Sequence, residues 1–309
     1  MSMQLQFFIQ LLIAGIATGA IYALMAVGFA LLWQTSGTIN FAQGEFIMFS
    51  SFLILWLMKL LNIGLIPAYL LSLIISMLLF GLLFKRLLVD PLLKYGDVPL
   101  IIATIGLGMV IREMTRIIWG ANALPFPSLI KNQVLNLGPI RVGLADLVTI
   151  AVAMTIIIAL QLFLNKSFIG RSMEATAQNQ QVARILGINV DRMILYTFLI
   201  NAFLVTSAAL LVTPRLLAKF SSGEAFGLIA FMAAIIGGFN QVRGALIGGF
   251  LIGIIDNLAK FYLARIHLPF SDSTLNLSPY APAIPLILLI VIILFKPEGI
   301  FGRKEERSI

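Results

Sequence analysis

One short segment of the sequence combines hydroxyl, amide and carboxylate side chains with glycines, and it lies between two long apolar runs. It covers Gly37–Glu45 and reads GTINFAQGE. In lipid, polar side chains are costly unless they face protein or a water-filled path, and non-helical backbone is tolerated only where protein or water satisfies it. The segment therefore predicts the broken start of a helix that lines a path, with a simple tight loop as the alternative. The candidate path residues are Asn40, Gln43, Gly44 and Glu45.

Charged residues in other apolar stretches predict local ion pairs rather than a reactive site. Asp256 precedes Lys260 by four residues, so the two side chains can pair along one helix face. Arg112, Glu113 and Arg116 read in the same way, as a cluster that balances its own charge. No series of spaced carboxylates or histidines continues from either set through the other apolar stretches, which argues against a proton relay.

The residue types needed for catalysis or metal binding are scarce. The chain has no cysteine and a single histidine, His267, so it offers neither a thiolate nucleophile nor a His-rich metal cluster. It also lacks a nucleotide-binding loop of the form G-x-x-x-x-G-K-[ST]. We therefore predict no catalytic residue, no metal and no cofactor, and we expect any ATP hydrolysis to take place on a separate polypeptide.

The composition identifies lipid as the solvent for most of the chain. Of its 309 residues, 60% are hydrophobic and 11% are charged, against about 45–50% and about 25% in ordinary soluble domains. Such a chain cannot cover its apolar surface with polar groups, which excludes a soluble enzyme, a nucleic-acid-binding protein and a disordered chain. The net charge of +8 predicts basic cytoplasmic loops rather than a contact with nucleic acid.

Apolar stretches long enough to cross a bilayer, about 20 residues each, recur along the sequence. We predict an all-α polytopic membrane protein in which residues 1–309 form a single transmembrane domain of about eight helices. A short or broken segment at Ala225–Phe239 is added to these, because its Gly237-Gly238 pair weakens helix continuation. The predicted spans are Phe7–Trp33, Phe46–Leu61, Leu65–Phe84, Leu100–Trp119, Leu144–Leu164, Met193–Leu217, Leu246–Leu263 and Pro279–Phe295.

Basic residues gather in three connections, and this distribution predicts the orientation of the chain. All three connections should face the cytoplasm. If the short segment crosses the membrane, the amino terminus is then outside and the carboxyl terminus is cytoplasmic. The basic residues are Lys85, Arg86 and Lys94, then Lys166, Arg171, Arg184 and Arg192, and finally Lys296, Arg303, Lys304 and Arg307.

The longest polar connection, residues 165–192, is read as an ordered element. It contains no proline and several alanines, which predicts short amphipathic helices. Gly187 would end one of these helices and turn the chain toward the next span. Residues 165–192 form either a docking element or a solvated loop.

A five-residue pattern occurs twice and suggests an internal repeat. Phe41–Glu45 and Phe220–Glu224 share the pattern F-x-x-G-E, and each precedes an apolar segment. The predicted topology puts the first copy at the cytoplasmic side and the second at the external side, which fits an inverted-topology repeat. A chance match between two glycine-containing turns is the alternative.

Small residues also recur at a spacing that suits helix packing. Residues four positions apart lie on one helix face, and small side chains there let helix backbones approach closely in lipid. The pattern predicts a closely packed bundle. It is formed by Gly15, Gly19 and Ala23, by Gly244 and Gly248, and by Gly249 and Gly253.

Five stretches of the sequence together resemble the permease subunits of branched-chain amino-acid ABC importers. Gly37–Glu45 is similar to the INFAHGE-like signature of that family, with Gln43 where the family often has histidine. The length of the chain is similar to that of the smaller, H-type subunit. The other four stretches follow in the order of the family, and they are Lys85–Met109, Gly170–Asp191, Gly237–Tyr262 and Phe295–Gly302.

The resemblance implies a subunit of a multi-protein importer in the bacterial inner membrane. Its partners would be a second, related permease subunit, two ATP-binding subunits and a periplasmic solute-binding protein that delivers branched-chain amino acids. Residues 165–192 would be the coupling element, seated in a groove of an ATP-binding subunit. Glu174 would meet basic groups there, Ala175 and Ala183 would permit close packing, and Gly187 would provide the turn.

Two other functions stay open. Related systems carry urea or short amides, so a permease for these solutes is one alternative. An ion-coupled secondary transporter is the other, and it requires a relay of intramembrane carboxylates. For such a relay the sequence offers only Asp256 and Glu45.

Overall fold

The computed structural model describes residues 3–130, 133–137, 140–264, 266–267, 274–275 and 277–302. It consists of helices joined by short connections and by two small hairpins. The helices are α1 (Met3–Ser36), α2 (Gln43–Leu61), α3 (Leu65–Ser76), α4 (Asp90–Leu93), α5 (Asp97–Trp119), α6 (Leu144–Lys166), α7 (Phe168–Gln178), α8 (Gln180–Ile185), α9 (Val190–Leu216), α10 (Ser222–Gly237), α11 (Val242–Leu263) and α12 (Ala283–Phe295). The strands are β1 (Val134–Leu137), β2 (Ile140–Gly143), β3 (Ile266–His267) and β4 (Thr274–Leu275).

Within the described ranges, eight helical segments are long and apolar enough to cross a membrane. They overlap the eight predicted spans, and the all-α polytopic architecture is thereby confirmed. The additional short segment is α10, which has 16 residues and ends where Gly238 adopts a φ of +114°. The eight segments are Gln6–Ser36, Gln43–Leu61, Leu65–Leu93, Asp97–Trp119, Leu144–Lys166, Val190–Leu216, Val242–Leu263 and Ser278–Phe295.

The third span continues past its predicted end at Phe84. α3 passes through π-helical turns at Met77–Leu83 and Lys85–Val89 into α4. The ammonium of Lys85 lies 2.7 Å from a carboxylate oxygen of Asp90. This pair neutralises Lys85, which the sequence places in a connection but which lies inside the helical run. Arg303, Lys304 and Arg307, the basic residues of the predicted cytoplasmic tail, lie outside the described residues.

Two hairpins lie between the spans, and the sequence did not indicate them. β1 pairs antiparallel with β2, with Leu135 opposite Val142, and β3 pairs antiparallel with β4. The strands have only four and two residues respectively. Such strands are too short to show the alternation of polar and apolar residues that identifies a strand in a sequence.

The chain divides into two compact units. Each unit is assembled from segments that are distant in the sequence. Unit 1 comprises Met1–Ala26, Ser128–Met154 and Phe231–Ile309, and unit 2 comprises Val27–Pro127 and Thr155–Ala230.

Unit 1 is organised around the crossing of α1 and α11. A Cβ atom added at Gly19 would lie 2.8 Å from the Cα atom of Phe250, and one added at Gly253 would overlap the backbone of Gly19. The predicted close packing of small residues is confirmed for these two helices. On the same helices, Asp256 accepts hydrogen bonds from the Tyr22 hydroxyl at 3.1 Å and from the Lys260 ammonium at 2.6 Å, so the predicted Asp256–Lys260 pair is also confirmed.

The segment that follows α12 closes the carboxyl end of α10. The last carbonyl groups of a helix have no partner within the helix. The backbone N–H groups of Ile300 and Phe301 donate to the carbonyls of Ile236 and Gly237 at 2.9 and 3.1 Å. This contact gives the stretch Phe295–Gly302 a structural role.

Unit 2 places α2 at its centre, against α3, α5 and α9. Hydroxyl side chains bond across the contacts of α2, because a buried hydroxyl in an apolar bundle needs a partner. Ser50 lies 3.2 Å from Thr206 of α9, and Ser51 lies 2.6 Å from Thr213. These bonds fix the position of α2, and therefore of the polar residues at its start.

Candidate functional site

The helix break that the sequence predicts after α1 is present. α1 ends at Ser36, Gly37 adopts a φ of +69°, and the chain stays non-helical until α2 begins at Gln43. The side chain of Asn40 accepts a hydrogen bond from the Ala42 N–H at 3.0 Å, and this turn directs the backbone into the new helix. All four candidate residues, Asn40, Gln43, Gly44 and Glu45, are buried, which a simple surface loop would not produce.

α2 starts well inside the bundle. A Cβ atom added at Gly28 would lie 2.9 Å from Nε2 of Gln43 and would overlap Oδ1 of Asn201. Asn201 follows the first residue of α9 by eleven positions, about 16 Å along the helix axis. The non-helical segment after α1 therefore runs back into the protein before α2 begins.

A second helix break has the same construction. α9 ends at Leu216, Leu217 adopts a φ of +64°, and α10 begins at Ser222 after a short non-helical stretch. In both copies of F-x-x-G-E the glycine is the second residue of the new helix and the glutamate is the third. The repeated sequence pattern thus corresponds to a repeated local structure.

The two helix starts meet. A Cβ atom added at Gly44 would overlap the carbonyl oxygen of Gly223 and would lie 2.5 Å from the backbone nitrogen of Gly227. Our expectation that the two copies of the pattern lie at opposite sides of the membrane is therefore wrong. Each copy follows a chain segment that folds back into the protein, so both copies reach the same place.

A three-residue ion-pair network joins the two helix starts. The guanidinium of Arg112 on α5 lies 2.6 Å from Oε1 of Glu45 and 3.2 Å from Oε2 of Glu224. Its Nε atom also donates to Oε1 of Glu45 at 3.0 Å. We refer to Glu45, Arg112 and Glu224 as the charge cluster.

The charge cluster corrects the predicted pairing on α5. Arg116 pairs with Glu113 at 2.7 Å, as expected. Arg112 does not join this pair and binds Glu45 and Glu224 instead. The reason is the close approach of α2, since a Cβ atom added at Gly108, one turn before Arg112, would lie 3.4 Å from Cγ of Glu45. The repeated pattern contained the missing signal, because it places a glutamate at each of two helix starts, and Arg112 pairs with both.

Burial differs sharply across the charge cluster. The side chain of Glu45 is 5% exposed, that of Arg112 is 27% exposed and that of Glu224 is 76% exposed. The Oε2 atom of Glu45 is buried without a hydrogen-bond partner, and it is the atom nearest to a Cβ added at Gly223. One carboxylate oxygen of Glu45 thus lies over the first turn of α10.

The predicted helices of residues 165–192 are α7 and α8. Ser167 caps α7 by accepting from the Gly170 N–H at 2.8 Å, and Asn179 caps α8 through the N–H groups of Gln181 and Val182. Gly187 has a φ of +81° at the end of α8, where a positive φ favours glycine. The prediction of short helices with a glycine turn is confirmed.

The four predicted coupling residues differ in accessibility. Glu174 and Gly187 are exposed, and Ala175 is partly exposed. Ala183, by contrast, is 1% exposed, so it packs against its own chain and its methyl group does not lie on the outer surface. The outer surface of this region is instead apolar, with Ile185 84% and Leu186 70% exposed.

One hydrogen bond connects α8 to the first helix break. Nε2 of Gln180, the first residue of α8, donates to the carbonyl oxygen of Thr35 at 2.9 Å. Thr35 lies in the last turn of α1, immediately before the segment that leads to Glu45. The bond thus joins α8 to the end of α1, just before the non-helical segment that leads to α2.

The geometry provides charge pairing, two helix starts in contact and a hydrogen bond between α8 and the end of α1. Within the described ranges, no three His, Asp or Glu side chains lie close enough together to hold a metal ion. Broken helices with ionisable residues between the spans are a feature of multi-pass transport proteins. The chain therefore has the features of a multi-pass transport protein.

The comparison with known families gives the particular family. The chain belongs to the family described as "Branched-chain amino acid transport system / permease component", whose model matches residues 11–295. The resemblance that the five sequence stretches indicated is thereby confirmed.

Curated relatives cover nearly the whole chain. The high-affinity branched-chain amino acid transport system permease protein LivH of Salmonella typhimurium is 29% identical over 100% of both chains. The corresponding protein BraD of Pseudomonas aeruginosa is 27% identical over 98% of both chains. A probable branched-chain amino acid transport permease protein LivH of Methanocaldococcus jannaschii is 28% identical over 90% of this chain and 88% of its own. These relatives favour a permease for branched-chain amino acids over a permease for urea or short amides and over a secondary transporter.

Proposed function

We propose that this chain is one of two related permease subunits of an ABC importer that carries branched-chain amino acids across the bacterial inner membrane. A periplasmic binding protein delivers the solute, and two separate subunits bind and hydrolyse ATP. The family membership and the names of the full-length relatives support this function. The amino terminus is outside and the carboxyl terminus is cytoplasmic, since the basic connections then share the cytoplasmic side.

The observation that carries the proposal is the apolar outer surface of the α7–α8 region. This region is not one of the eight candidate spans, yet it exposes Ile185 and Leu186 to the surroundings. Exposed apolar patches rimmed by polar residues are typical of protein interfaces. We infer that Ile185 and Leu186 enter the groove of an ATP-binding subunit, with Glu174 and Ala175 also at this contact. Ala183 and Gly187 act indirectly, by shaping the helix and its terminal turn.

We further propose that the charge cluster and the polar residues beside it line the translocation path. Asn40, Gln43, Gly44 and Glu45 are the residues of the first helix break. One candidate span precedes α2 and six precede α10, so two helices that meet at their starts would enter the membrane from opposite sides. Inverted half-helices that meet inside the membrane are the basis of many transport sites.

Ile185→Asp is expected to uncouple the permease from its ATP-binding subunit. An anchor side chain in an interface contributes about 2 kcal/mol or more, so association should weaken about 30-fold. The aspartate is compatible with folding because the residue projects into solvent. The measurement is co-purification of the ATP-binding subunits, together with ATP-driven leucine uptake by the reconstituted complex. Ile185→Leu is the matched control and should behave like the parent chain. Normal co-purification of Ile185→Asp would contradict the docking surface.

Gln180→Ala is expected to reduce leucine uptake about 5-fold without loss of the ATP-binding subunits, since one hydrogen bond contributes about 1 kcal/mol. It removes the bond to Thr35 that connects α8 to the helix break, and it leaves the apolar surface intact. Gln181→Ala, at the exposed neighbouring position, is the control. Equal uptake by both variants would show that the Gln180–Thr35 bond does not transmit the movement.

A test of the function as a whole compares complexes with and without the ATP-binding subunits in proteoliposomes. We expect leucine uptake only when these subunits and ATP are present. Uptake by the permease subunits alone would exclude an ABC importer and would favour a secondary transporter.

A further inference from the structure

The exposure of Glu224 requires an explanation, because this carboxylate belongs to a cluster that lies at the depth of the spans. Arg112 precedes Trp119, the last residue of α5, by seven positions, which is about 10 Å along the helix. Its partner Glu224 therefore lies within the hydrocarbon thickness of about 30 Å, although its side chain is 76% exposed on this chain. Ionisable groups at that depth face a water-filled cavity or protein rather than lipid. The surface at Glu224 thus faces water or a partner protein rather than lipid.

The groups around Glu45 show that the charge cluster accommodates a carboxylate. Its buried Oε2 atom has no hydrogen-bond partner and lies over the first turn of α10 at Gly223, while its Oε1 atom is bound by Arg112. The positive end of a helix and a guanidinium both favour a carboxylate. A second carboxylate, that of Glu224, is held on the accessible side of the same guanidinium by a longer contact of 3.2 Å.

We propose that Arg112 and Glu224 form a transit site for the zwitterionic head group of an amino acid. The substrate carboxylate replaces Glu224 on the accessible edge of Arg112, and the substrate ammonium pairs with the released Glu224 carboxylate. Glu45 stays in place and holds Arg112 in position. The inference rests on the proposed function and deepens it, because it names the two residues that hold the head group of the solute in the path.

The balance of ion pairs explains the preference for a zwitterion. Insertion of an α-amino acid breaks one ion pair and forms two, so the cluster loses no charge pairing. Urea or a short amide would separate Arg112 from Glu224 without supplying an opposite charge to either. A carboxylate without an ammonium group would leave Glu224 unpaired beside a second negative charge, which is repulsive at this distance.

The test uses the complete importer in proteoliposomes, with leucine-loaded binding protein outside and ATP at the ATP-binding subunits. Glu224→Gln removes the negative charge and keeps the size of the side chain. We expect leucine uptake to fall about tenfold, which is the size of effect that the loss of one hydrogen bond to a charged group commonly has. Stimulation of ATP hydrolysis by the loaded binding protein is expected to persist, so more ATP is consumed per leucine. Glu224→Asp should recover part of the uptake.

Glu113→Gln is the matched control, because it removes the same charge from the neighbouring pair with Arg116 and leaves the charge cluster intact. Its uptake should equal that of the parent complex. A parent complex that transports no amino acid would overturn the proposed function itself. A parent complex that transports leucine, with Glu224→Gln equally active, would overturn only the transit site. A parallel loss of uptake and ATP hydrolysis in Glu224→Gln would indicate a structural role and would also overturn it.

A second measurement uses thiol labelling and leaves the carboxylate of Glu224 unchanged. Ser221 is exposed and lies three residues before Glu224, and the chain contains no cysteine. The variant Ser221→Cys therefore carries one thiol that a water-soluble methanethiosulfonate reagent can label. We expect leucine at a high but non-saturating concentration to slow this labelling about threefold, which corresponds to occupancy of about two thirds of the sites, whereas urea has no effect. Equal labelling rates with and without leucine would overturn the transit site.

Discussion

Gly44→Leu is expected to prevent the chain from forming its folded bundle. The added side chain would be directed at the backbone of α10, where even a single Cβ atom overlaps the carbonyl oxygen of Gly223 and lies 2.5 Å from the nitrogen of Gly227. Backbone atoms cannot move aside as the end of a flexible side chain does. Overpacking of a core by flexible groups already costs about 1–3 kcal/mol, so the cost here should exceed the stability that holds the two helix starts together.

The measurement is the yield of monodisperse protein in detergent and its thermal unfolding. Gly106→Leu is the matched control, since Gly106 lies in α5 and a Cβ atom added there meets nothing within 4 Å. It should give normal yield and an unchanged or slightly higher unfolding temperature, because leucine has the higher helix propensity. Gly44→Ala should be intermediate, with a reduced yield. Normal yield and melting of Gly44→Leu would show that α2 and α10 do not meet at their starts.

Arg112→Ala is expected to destabilise the protein by about 3–5 kcal/mol, because it leaves a buried carboxylate without its counter-charge. Glu45 is 5% exposed and receives two hydrogen bonds from Arg112. Its remaining oxygen has no partner that could take over. The unfolding temperature should fall by about 10 °C, from the usual relation between stability and melting in a chain of this size.

A second variant tests this explanation by also removing the negative charge of Glu45. Arg112→Ala combined with Glu45→Gln should recover most of the lost stability, since the buried anion is then absent. Arg116→Ala on the same helix should change stability by about 1 kcal/mol or less, because its pair with Glu113 is half exposed. If the double variant were as unstable as Arg112→Ala alone, the cluster would not be an electrostatic unit.

Much of the architecture follows from the sequence alone. The eight spans are predictable because an apolar run of sufficient length must be helical in lipid, whatever it packs against. The short helices α7 and α8 and the turn at Gly187 are predictable for a similar reason, since caps and positive-φ glycines act within a few residues. The pattern of small residues predicts close packing of helices, although it does not show that α1 and α11 are the two that cross.

The composition of the candidate site did not follow from such patterns. Arg112 has an acidic neighbour at Glu113, yet it pairs with Glu45, 67 residues away, and with Glu224. Similarly, Ala183 looks suited to a partner surface but faces its own chain.

Composition and local motifs are enough to predict a polytopic permease with a helix break at a polar segment and a short helical connection. The folded chain was needed to show that the two F-x-x-G-E segments meet and share one cation. The two kinds of feature depend on forces of different range. Helix formation and membrane insertion depend on neighbouring residues, whereas ion pairing inside a bundle depends on which helix faces lie together after the whole chain has packed. A repeated motif shows that two segments have similar local structures. It does not show that the two segments are in contact in the folded chain.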